Sequence, residues 1–323
     1  MSASAMMLRV RVAHKTPLAH DIALFELASA DGRPLPSFSA GSHIDIHLPG
    51  GMTRQYSLCN TSSETGRYHI AVLKDDAGRG GSRAMHEAVQ EGDVITISSP
   101  RNHFPLIHGA ADSILLAGGI GITPLLCMAE TLFMLKQPFT LHYCTRSHDR
   151  TAFRSRIQQS GYAAHVTFHV DDAPSEQRLD IAALLCTPRP GVHIYTCGPR
   201  GFMEAVLSCA RNSGWPEDQL HYEFFGASPA KPEADASFVV KLASSGQEIQ
   251  IPADTPVTEA LAAAGIIVPT SCEQGICGTC LTCVLEGEPD HRDSYLTPEE
   301  QAANDQFLPC CSRSKTPWLI LDL

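Results

Sequence analysis

Three closely spaced cysteines near the C-terminus constrain this 323-residue chain more than any other feature. They follow the pattern Cys272-x4-Cys277-x2-Cys280, and Cys310 comes later in the chain. A plant-type [2Fe–2S] cluster has this spacing, because one loop wraps two bridged irons with three thiolates and a fourth thiolate arrives from elsewhere in the fold. The pattern therefore predicts a compact iron–sulfur domain at this end of the chain.

Two rival metal sites fit the cysteines less well. A zinc site uses paired CxxC knuckles at longer separation. The CxxCxxC run that ends at Cys283 resembles the start of a bacterial-type [4Fe–4S] motif, but that motif continues to a cysteine followed by proline, and Val284 follows here. Gly275 and Gly278 supply backbone freedom for a tight loop and amide groups for hydrogen bonds to sulfur. We therefore predict a [2Fe–2S] cluster, with Cys283 as a packed thiol that binds no iron.

Short alternating stretches separated by polar turns occupy residues 1–105. The clearest are HIDIHL at 43–48, YHIAVL at 68–73 and DVITIS at 93–98. Alternation with a period of two is typical of strands with one buried face, and Gly, Asp, Ser and Pro mark the turns between them. An antiparallel β-barrel or sandwich is the expected fold of this region.

The pattern changes from Ser113 onward, where apolar strands alternate with helices. Four buried strands are recognisable, at 113–117, 139–144, 165–170 and 192–197, and helices follow the first and the last of them. This alternation is typical of a parallel sheet. Residues 106–226 are therefore expected to form an α/β domain.

Residues 237–323 are expected to form a third unit, after a Pro- and Ala-rich linker at 227–236. Two strand patterns separated by Ser-Ser-Gly predict a hairpin at its start. Thr255 and Pro256 are placed to open a helix as N-cap and first helical residue, and Gly265 to close it. The hairpin, the helix and a last C-terminal strand predict an α+β domain of the β-grasp type around the cysteines.

A four-residue motif in the first domain suits a flavin. Arg54-Gln55-Tyr56-Ser57 resembles the RxYS flavin-binding signature of the ferredoxin-reductase superfamily. Arg54 would bind a phosphate, since its guanidinium is permanently charged and bidentate. Tyr56 would lie against the isoalloxazine ring, and Ser57 would hydrogen-bond the redox-active edge of that ring.

A glycine-rich run, GRGGSR, follows the flavin motif and is predicted to open a helix at about Ala84. Free amides at a helix N-terminus attract an anion, and glycines let a phosphate approach closely. Gly81 and Ser82 are the predicted phosphate contacts. A terminal phosphate held by Arg54 and this turn suits FMN, so we predict FMN rather than FAD.

A second glycine turn, GGIGITP, follows the first strand of the α/β domain. Gly119 and Gly121 match two positions of the dinucleotide fingerprint G-x-G-x-x-G, but Pro124 replaces its third glycine. The turn resembles instead the GGxGxTP turn of ferredoxin reductases, with Thr123 as helix N-cap and Pro124 at the first helical position. The pyrophosphate of a nicotinamide nucleotide would lie over this helix N-terminus.

Cys197-Gly198-Pro199 ends another strand and precedes a helix. The same resemblance places Cys197 and Gly198 beside the nicotinamide during hydride transfer. For the choice of nucleotide, Arg146 follows one strand and suits a 2′-phosphate, whereas Asp171-Asp172 follows the next strand and repels one. We predict NADH, mainly from the resemblance.

The three regions occur in an order that resembles the phthalate dioxygenase reductase family, which includes vanillate O-demethylase reductases. The resemblance covers essentially the whole chain. It implies that Phe225, in the segment YEFFGA, shields the flavin, and that Cys310 rather than Cys311 is the fourth iron ligand. It further implies that electrons pass from NADH through FMN and [2Fe–2S] to a terminal oxygenase, usually a Rieske non-haem iron protein. Ser57, Cys197 and Phe225 would then be the catalytic residues.

Charge and composition narrow the partners. The net charge of -11 argues against nucleic acid, which is bound through clustered Lys and Arg. Residues 237–323 hold 12 Asp and Glu against 4 Lys and Arg, and this net charge of -8 suggests a basic docking partner. The N-terminus has no apolar signal region, and the most apolar stretch, 114–126, is broken by glycines and proline. We expect a reduced, cytoplasmic protein with no membrane span.

Two other functions use the same motifs. A stand-alone NADH diaphorase, or a flavin or ferric reductase, would have the same internal electron path, although a fused ferredoxin domain is superfluous there. An iron–sulfur protein that senses redox state through cluster oxidation would not require a complete hydride-transfer site. Steady NADH oxidation with an artificial acceptor separates this last function from the first two.

Overall fold

In the computed structural model, the described residues are 7–48, 51–76, 78, 80–225, 235–270, 273, 275, 278–293 and 295–323. The chain divides into two compact units, Met1–Phe225 and Gly226–Leu323. The predicted linker lies outside the described residues, except for its last two positions, Asp235 and Ala236. Among the described residues, no helix is long and apolar enough to cross a membrane.

An antiparallel sheet and one helix build the N-terminal part of the first unit. The strands are β1 (Met7–Ala19), β2 (Ile22–Ser29), β3 (Ser42–His47), β4 (Thr53–Ser57), β5 (Arg67–Leu73), β6 (Val94–Ser98) and β7 (Arg101–Asn102), and the helix is α1 (Gly81–Glu87). The strand order is β4-β3-β6-β1-β2-β5, with β7 paired to β3. An antiparallel bridge between Leu58 and Ile70 links the end of β4 to β5 and closes the sheet into a barrel. The predicted barrel is thereby confirmed.

The helix in this domain begins earlier than predicted. It begins at Gly81, after Gly80 in the left-handed conformation with φ of 81°, and not at about Ala84. Glycine adopts this conformation without a steric penalty, so the chain turns into the helix as soon as the glycine run allows. Gly81 and Ser82 therefore lie within the first turn of α1.

A parallel sheet flanked by helices forms the rest of the first unit, as predicted. Its strands are β8 (Asp112–Gly118), β9 (Phe139–Thr145), β10 (Val166–Val170), β11 (Val192–Gly198) and β12 (Leu220–Phe224), and its helices are α2 (Ile122–Met134), α3 (Arg154–Gln158), α4 (Ile181–Leu185) and α5 (Arg200–Asn212). The strand order is β10-β9-β8-β11-β12, and every neighbouring pair is parallel. The carboxyl ends of all five strands therefore meet at one edge, which is where open α/β sheets bind ligands.

The start of α2 corrects a second prediction. A 3₁₀ turn, Gly119–Gly121, continues directly into α2, whose N-cap is Gly121 without a side-chain hydrogen bond. Thr123 is therefore inside the helix, where its hydroxyl donates to the Ile120 carbonyl at 3.1 Å, and it is not the N-cap. Pro124 is the third helical residue rather than the first, because the tight turn before it already has helical geometry.

The second unit has the predicted α+β arrangement. Its strands are β13 (Phe238–Leu242), β14 (Glu248–Ile251), β15 (Thr282–Glu286), β16 (Pro289–Asp290), β17 (Gln306–Phe307), β18 (Arg313–Ser314) and β19 (Trp318–Leu321), and its helices are α6 (Val257–Ala263) and α7 (Pro298–Ala303). The larger sheet has the order β14-β13-β19-β15-β17, with β13 and β19 parallel and the other pairs antiparallel. The predicted hairpin is β13–β14. Helix α6 begins one residue later than predicted, because Pro256 rather than Thr255 is its N-cap.

Candidate functional site

The flavin motif and the glycine-rich run meet in the barrel. A Cβ atom at Gly81 would lie 2.4 Å from Nε of Arg54, so the arginine packs directly on the first turn of α1 and only glycine fits there. The Arg54 guanidinium also donates to the Thr53 carbonyl at 2.7 Å. Ser82 Oγ accepts a hydrogen bond from the Asp75 amide at 3.0 Å, which fastens the loop that precedes the helix. The predicted phosphate contacts are thus brought together.

The other two residues of the flavin motif, Tyr56 and Ser57, lie on the same strand, β4. Burial raises the pKa of the Tyr56 hydroxyl, and the nearby Arg54 charge opposes that rise. Tyr56 pairs with Ile44 in the barrel wall, whereas Ser57 is the last residue of β4 and is buried. The strand therefore holds the aromatic ring and the hydroxyl in fixed positions, as a flavin site requires.

A carboxylate that the sequence analysis missed links the barrel to the parallel sheet. Ser57 Oγ donates to a carboxylate oxygen of Glu223 at 3.2 Å. Glu223 lies on β12 directly beside Cys197 of β11. Phe225, 38% exposed, comes two residues after Glu223. Two of the three predicted catalytic residues, Ser57 and Cys197, therefore lie beside Glu223, and Phe225 follows it in the segment YEFFGA, which was the available signal.

The electrostatics of this cluster favour neutral groups. Burial raises the pKa of Glu223 to about 7, and the hydrogen bond from Ser57 opposes the rise. Burial also raises the pKa of the Cys197 thiol well above its usual value, and Glu223 raises it further. A neutral buried thiol is no nucleophile. Glu223, in contrast, can take up or release a proton near neutral pH.

The two nucleotide motifs are in contact through their glycines. A Cβ atom at Gly121 would lie 2.2 Å from the Cys197 carbonyl oxygen, so the turn before α2 lies directly against the end of β11. A Cβ atom at Gly198 would lie 2.9 Å from the Cα atom of Gly118. Gly119 has φ of 51°, a left-handed value. Pro199 is the N-cap of α5, and a Cβ atom at Gly118 would lie 2.9 Å from the Phe202 ring, so the two glycine turns and α5 are closely packed at this edge.

The residues predicted to choose between NADH and NADPH are neighbours. The Asp171 amide donates to the Thr145 carbonyl at 2.9 Å, and the Asp172 amide donates to the Arg146 carbonyl at 3.1 Å. Arg146 and both aspartates are exposed at the same edge of the sheet. Two exposed carboxylates and one exposed guanidinium are therefore present at this edge of the sheet.

Two of the four predicted iron ligands are described in the second unit. Cys280 and Cys310 are 2% and 5% exposed and belong to one hydrophobic cluster. Cys272 and Cys277 lie outside the described residues. Cys311 donates weakly to the Leu308 carbonyl at 3.6 Å, and interaction with Cys310 and burial raise the pKa of its thiol. The choice of Cys310 as fourth ligand stays a prediction.

Two glycines that precede Cys280 have left-handed backbone conformations. Gly275 and Gly278 have φ of 72° and 68°. A Cβ atom at Gly275 would lie 2.4 Å from Sγ of Cys311, and one at Gly278 would lie 2.2 Å from the ring of Tyr295. The buried thiols of Cys280 and Cys310, next to two glycines that leave no room for a Cβ atom, fit an iron–sulfur cluster, since thiolates are its protein ligands.

The prediction that Cys283 is a packed thiol is wrong. Its side chain is exposed rather than packed, because it lies on β15 between the inward-facing Thr282 and Val284. Alternate residues of a strand face opposite sides of the sheet, so Cys283 faces away from the buried side to which Thr282 and Val284 point.

The segment that follows Cys310 and Cys311 is firmly anchored. The Arg313 guanidinium donates to the carbonyls of Thr255, Ala236 and Pro252 at 2.9–3.1 Å. Arg292 forms an ion pair with Asp235, whose carboxylate also lies 3.6 Å from Arg313. The end of the predicted linker is thus tied to the strand next to the cysteines.

Three family models match the chain in succession. The oxidoreductase FAD-binding domain matches residues 9–105, the oxidoreductase NAD-binding domain matches 115–208, and the 2Fe-2S iron-sulfur cluster binding domain matches 240–315. A flavin, a nicotinamide nucleotide and a [2Fe–2S] cluster are therefore the cofactors of these domains.

Similar proteins match over nearly the full length. The vanillate O-demethylase oxidoreductase of Pseudomonas sp. (strain HR199 / DSM 7063) is 53% identical over 98% of this chain and 100% of its own length. The phthalate dioxygenase reductase of Burkholderia cepacia is 40% identical over 98% of this chain and 97% of its own. A solved structure of phthalate dioxygenase reductase, described as modular for electron transfer from pyridine nucleotides to [2Fe–2S], superposes with a TM-score of 0.81 at 40% identity and covers 98% of each chain. The chain is therefore an oxidoreductase of the phthalate dioxygenase reductase family.

Proposed function

We propose that this protein is the reductase component of an oxygenase system and passes electrons from NADH through FMN and [2Fe–2S] to a Rieske-type terminal oxygenase. The observation that carries the proposal is the full-length similarity to vanillate O-demethylase oxidoreductases, two of which are 53% and 55% identical. That identity favours an O-demethylating oxygenase as the partner. A cytoplasmic location is part of the proposal.

A bound flavin and cluster would together accept the two electrons of a hydride and pass them on one at a time. No side chain of the chain can do this. Arg54 and the first turn of α1 would hold the flavin phosphate, and Tyr56 would support the ring. A single terminal phosphate satisfies this arrangement, which supports FMN. Flavin released by denaturation and separated by chromatography tests this choice, and FAD in the released fraction would contradict it.

The protein residues around Ser57 would position the reacting groups. Ser57 would orient the redox-active edge of the flavin, and Glu223 would hold or release a proton next to it through the Ser57 hydroxyl. Cys197 and Gly198 would shape the nicotinamide pocket. Phe225 would cover the ring until a nucleotide displaces it and would thereby exclude water.

NADH is favoured over NADPH by the pair Asp171-Asp172. Both carboxylates are exposed and are tied by their amides to the end of β9, where the ribose of a bound nucleotide would lie. A 2′-phosphate would bring further negative charge to this place.

An anaerobic titration with NADH tests the internal path. Loss of visible flavin absorbance, together with a rhombic [2Fe–2S] signal in low-temperature EPR, is the expected result. Addition of the oxygenase component of Pseudomonas vanillate O-demethylase with vanillate should then give NADH-dependent demethylation. Reduction of both cofactors without turnover of any oxygenase would instead identify a stand-alone diaphorase.

A further inference from the structure

The outer face of the ferredoxin-domain sheet is unexpectedly apolar. On β15 the inward residues Thr282 and Val284 are buried, while Leu285 is 54% exposed. Leu281, just before this strand, shares that outward phase and is 39% exposed. On the neighbouring strand β19, Leu319 and Leu321 are fully buried, whereas Trp318 is 42% exposed. Leu281, Leu285 and Trp318 define what we call the outer apolar face.

Leu285 and Trp318 lie on adjacent strands, and Leu281 directly precedes the first of them. Val284 of β15 pairs with Leu321 of β19, and Glu286 pairs with Ile320 across an irregularity in the register. A Cβ atom at Gly287 would lie 2.5 Å from the Trp318 carbonyl oxygen, which places the end of β15 against the start of β19. The free face of an antiparallel pair is ordinarily polar, and a group of exposed apolar side chains there marks an interaction surface.

The outer apolar face begins at the cysteine loop. Leu281 directly follows Cys280, and its amide donates to the Gly278 carbonyl at 3.0 Å in the same turn. A partner seated on this face would therefore lie next to the predicted cluster, where electrons leave the chain.

Acidic groups flank this face, and Lys241 of the neighbouring strand β13, which pairs with Ile320 of β19, lies 3.8 Å from Glu248. Glu286 and Asp322 are exposed, and the Asp322 amide donates to the Cys283 carbonyl at 3.1 Å, which holds Asp322 beside β15. The four cations from residue 237 onward each face a carboxylate within 4.0 Å: Lys241 with Glu248, Lys315 with Glu288, Arg292 with Asp235 and Asp290, and Arg313 with Asp235.

The net charge of residues 237–323 indicates which kind of partner can bind the outer apolar face. A second copy of this chain would bring the same net charge of -8 to the contact, and nucleic acid or an anionic membrane would be repelled as well. A protein with an apolar recess rimmed by lysine and arginine is complementary in both shape and charge. We propose that the outer apolar face docks the terminal oxygenase through such a recess. This inference rests on the proposed function.

A double variant, Leu285→Gln with Trp318→Gln, tests the proposal. Both side chains are exposed, so the domain is expected to fold and to keep its cluster. The reductase concentration that half-saturates vanillate demethylation by the Pseudomonas oxygenase component should rise about tenfold, because central apolar contacts dominate interface energies. Bleaching of the flavin and appearance of the [2Fe–2S] EPR signal after NADH addition should keep their wild-type rates. Met134→Gln, at a 58% exposed apolar residue of the first unit, is the matched control and should change nothing.

A second variant tests the charged rim. Glu286→Gln with Asp322→Asn should reduce the salt dependence of oxygenase reduction and slow it at low ionic strength, since steering of charged partners is screened by salt.

Three outcomes would overturn the docking proposal. In the first, wild type supports demethylation and the double variant does so with unchanged half-saturation, which leaves the proposed function standing. In the second, cluster reduction by NADH slows, which assigns the face to the chain's own flavin unit. In the third, sedimentation shows a wild-type dimer that the double variant dissociates, which makes the occupant a second copy. A wild-type protein that reduces no oxygenase overturns the proposed function together with this inference.

Discussion

The barrel and the parallel sheet of the first unit share a buried hydrophobic cluster in addition to a cluster in each, whereas the core of the ferredoxin domain is separate. Cys59 and Phe104 from the barrel side belong to the same buried cluster as Leu126 of α2 and Tyr195 of β11. The Phe104 and Tyr195 rings are 5.9 Å apart, and the Tyr195 hydroxyl accepts a hydrogen bond from the Ile107 amide at 2.8 Å. The core cluster of the second unit contains only residues from Phe238 onward.

This difference matches the two kinds of transfer that the proposed function requires. Hydride transfer makes and breaks bonds, so donor and acceptor must be held within a few tenths of an ångström of the reacting geometry. A shared core between two domains supplies that rigidity. Electron transfer to a cluster makes no bond, so a module with its own core is sufficient for it.

The variant with the largest expected effect tests whether the two units function independently. Cys280→Ser removes a predicted iron ligand, so the [2Fe–2S] EPR signal should be lost and oxygenase reduction should fall by about 100-fold or more. Flavin bleaching by NADH should stay within about twofold of wild type, since the first unit keeps its own core. Cys283→Ser, at an exposed thiol, is the control. Loss of flavin reduction in the first variant would show that the units depend on each other.

The next variant is expected to impair flavin reduction in the first unit and to leave the second unit intact. Gly121→Ala would place a Cβ atom 2.2 Å from the Cys197 carbonyl oxygen and force the turn before α2 away from β11. Flavin reduction by NADH should slow by about 100-fold in anaerobic stopped flow, because a displacement of about 1 Å is enough for such a loss. The cluster should still be reduced by dithionite.

Gly201→Ala is the matched control for this variant, since an added Cβ atom there meets nothing within 4 Å. An unchanged hydride-transfer rate in the Gly121 variant would argue against contact between the two nucleotide motifs.

A smaller effect concerns nucleotide choice within the first unit. Asp171→Ala with Asp172→Ala should lower the ratio of kcat/KM for NADH over NADPH by about tenfold, because repulsion of a 2′-phosphate is removed. Glu176→Gln, on the same exposed loop, controls for the loss of one negative charge nearby. If the ratio stays at its wild-type value, the two aspartates do not discriminate between the nucleotides.

The last prediction concerns stability rather than rate, and it is a pH dependence that belongs to the first unit. The pKa of Glu223 is raised from 4.5 to about 7, so the folded state binds this proton more tightly than the unfolded state does. The first unit should therefore lose stability as the pH rises from about 4.5 through about 7. The Glu223→Gln variant should be more stable than wild type by about 3 kcal/mol at pH 8 and no more stable at pH 4, as measured by urea unfolding, because each pKa unit corresponds to about 1.4 kcal/mol. Equal stabilisation at both pH values would show that the carboxyl does not titrate in this range.

Local patterns predicted much of the fold. The alternation in 43–48 and 93–98 gave two barrel strands, and the apolar runs in 113–117 and 192–197 gave two parallel ones, because strand periodicity is a local property. Helix starts were predicted less well. Helix α1 begins three residues before its predicted start, and helix α2 begins two residues before its own. The backbone conformations of the glycine-rich turns that precede them depend on what packs against those turns.

The cysteine spacing, the RxYS motif and the order of three domains were thus readable from the sequence alone, because each reflects contacts between residues close in the chain. Glu223 was not readable as a site residue, since its contact with Ser57 joins residues 166 positions apart. The contact between Gly121 and Cys197 and the apolar outer face of β15 and β19 also depend on how distant strands are placed. Only the tertiary structure decided these features, because packing between segments far apart in sequence sets burial, proximity and pKa together.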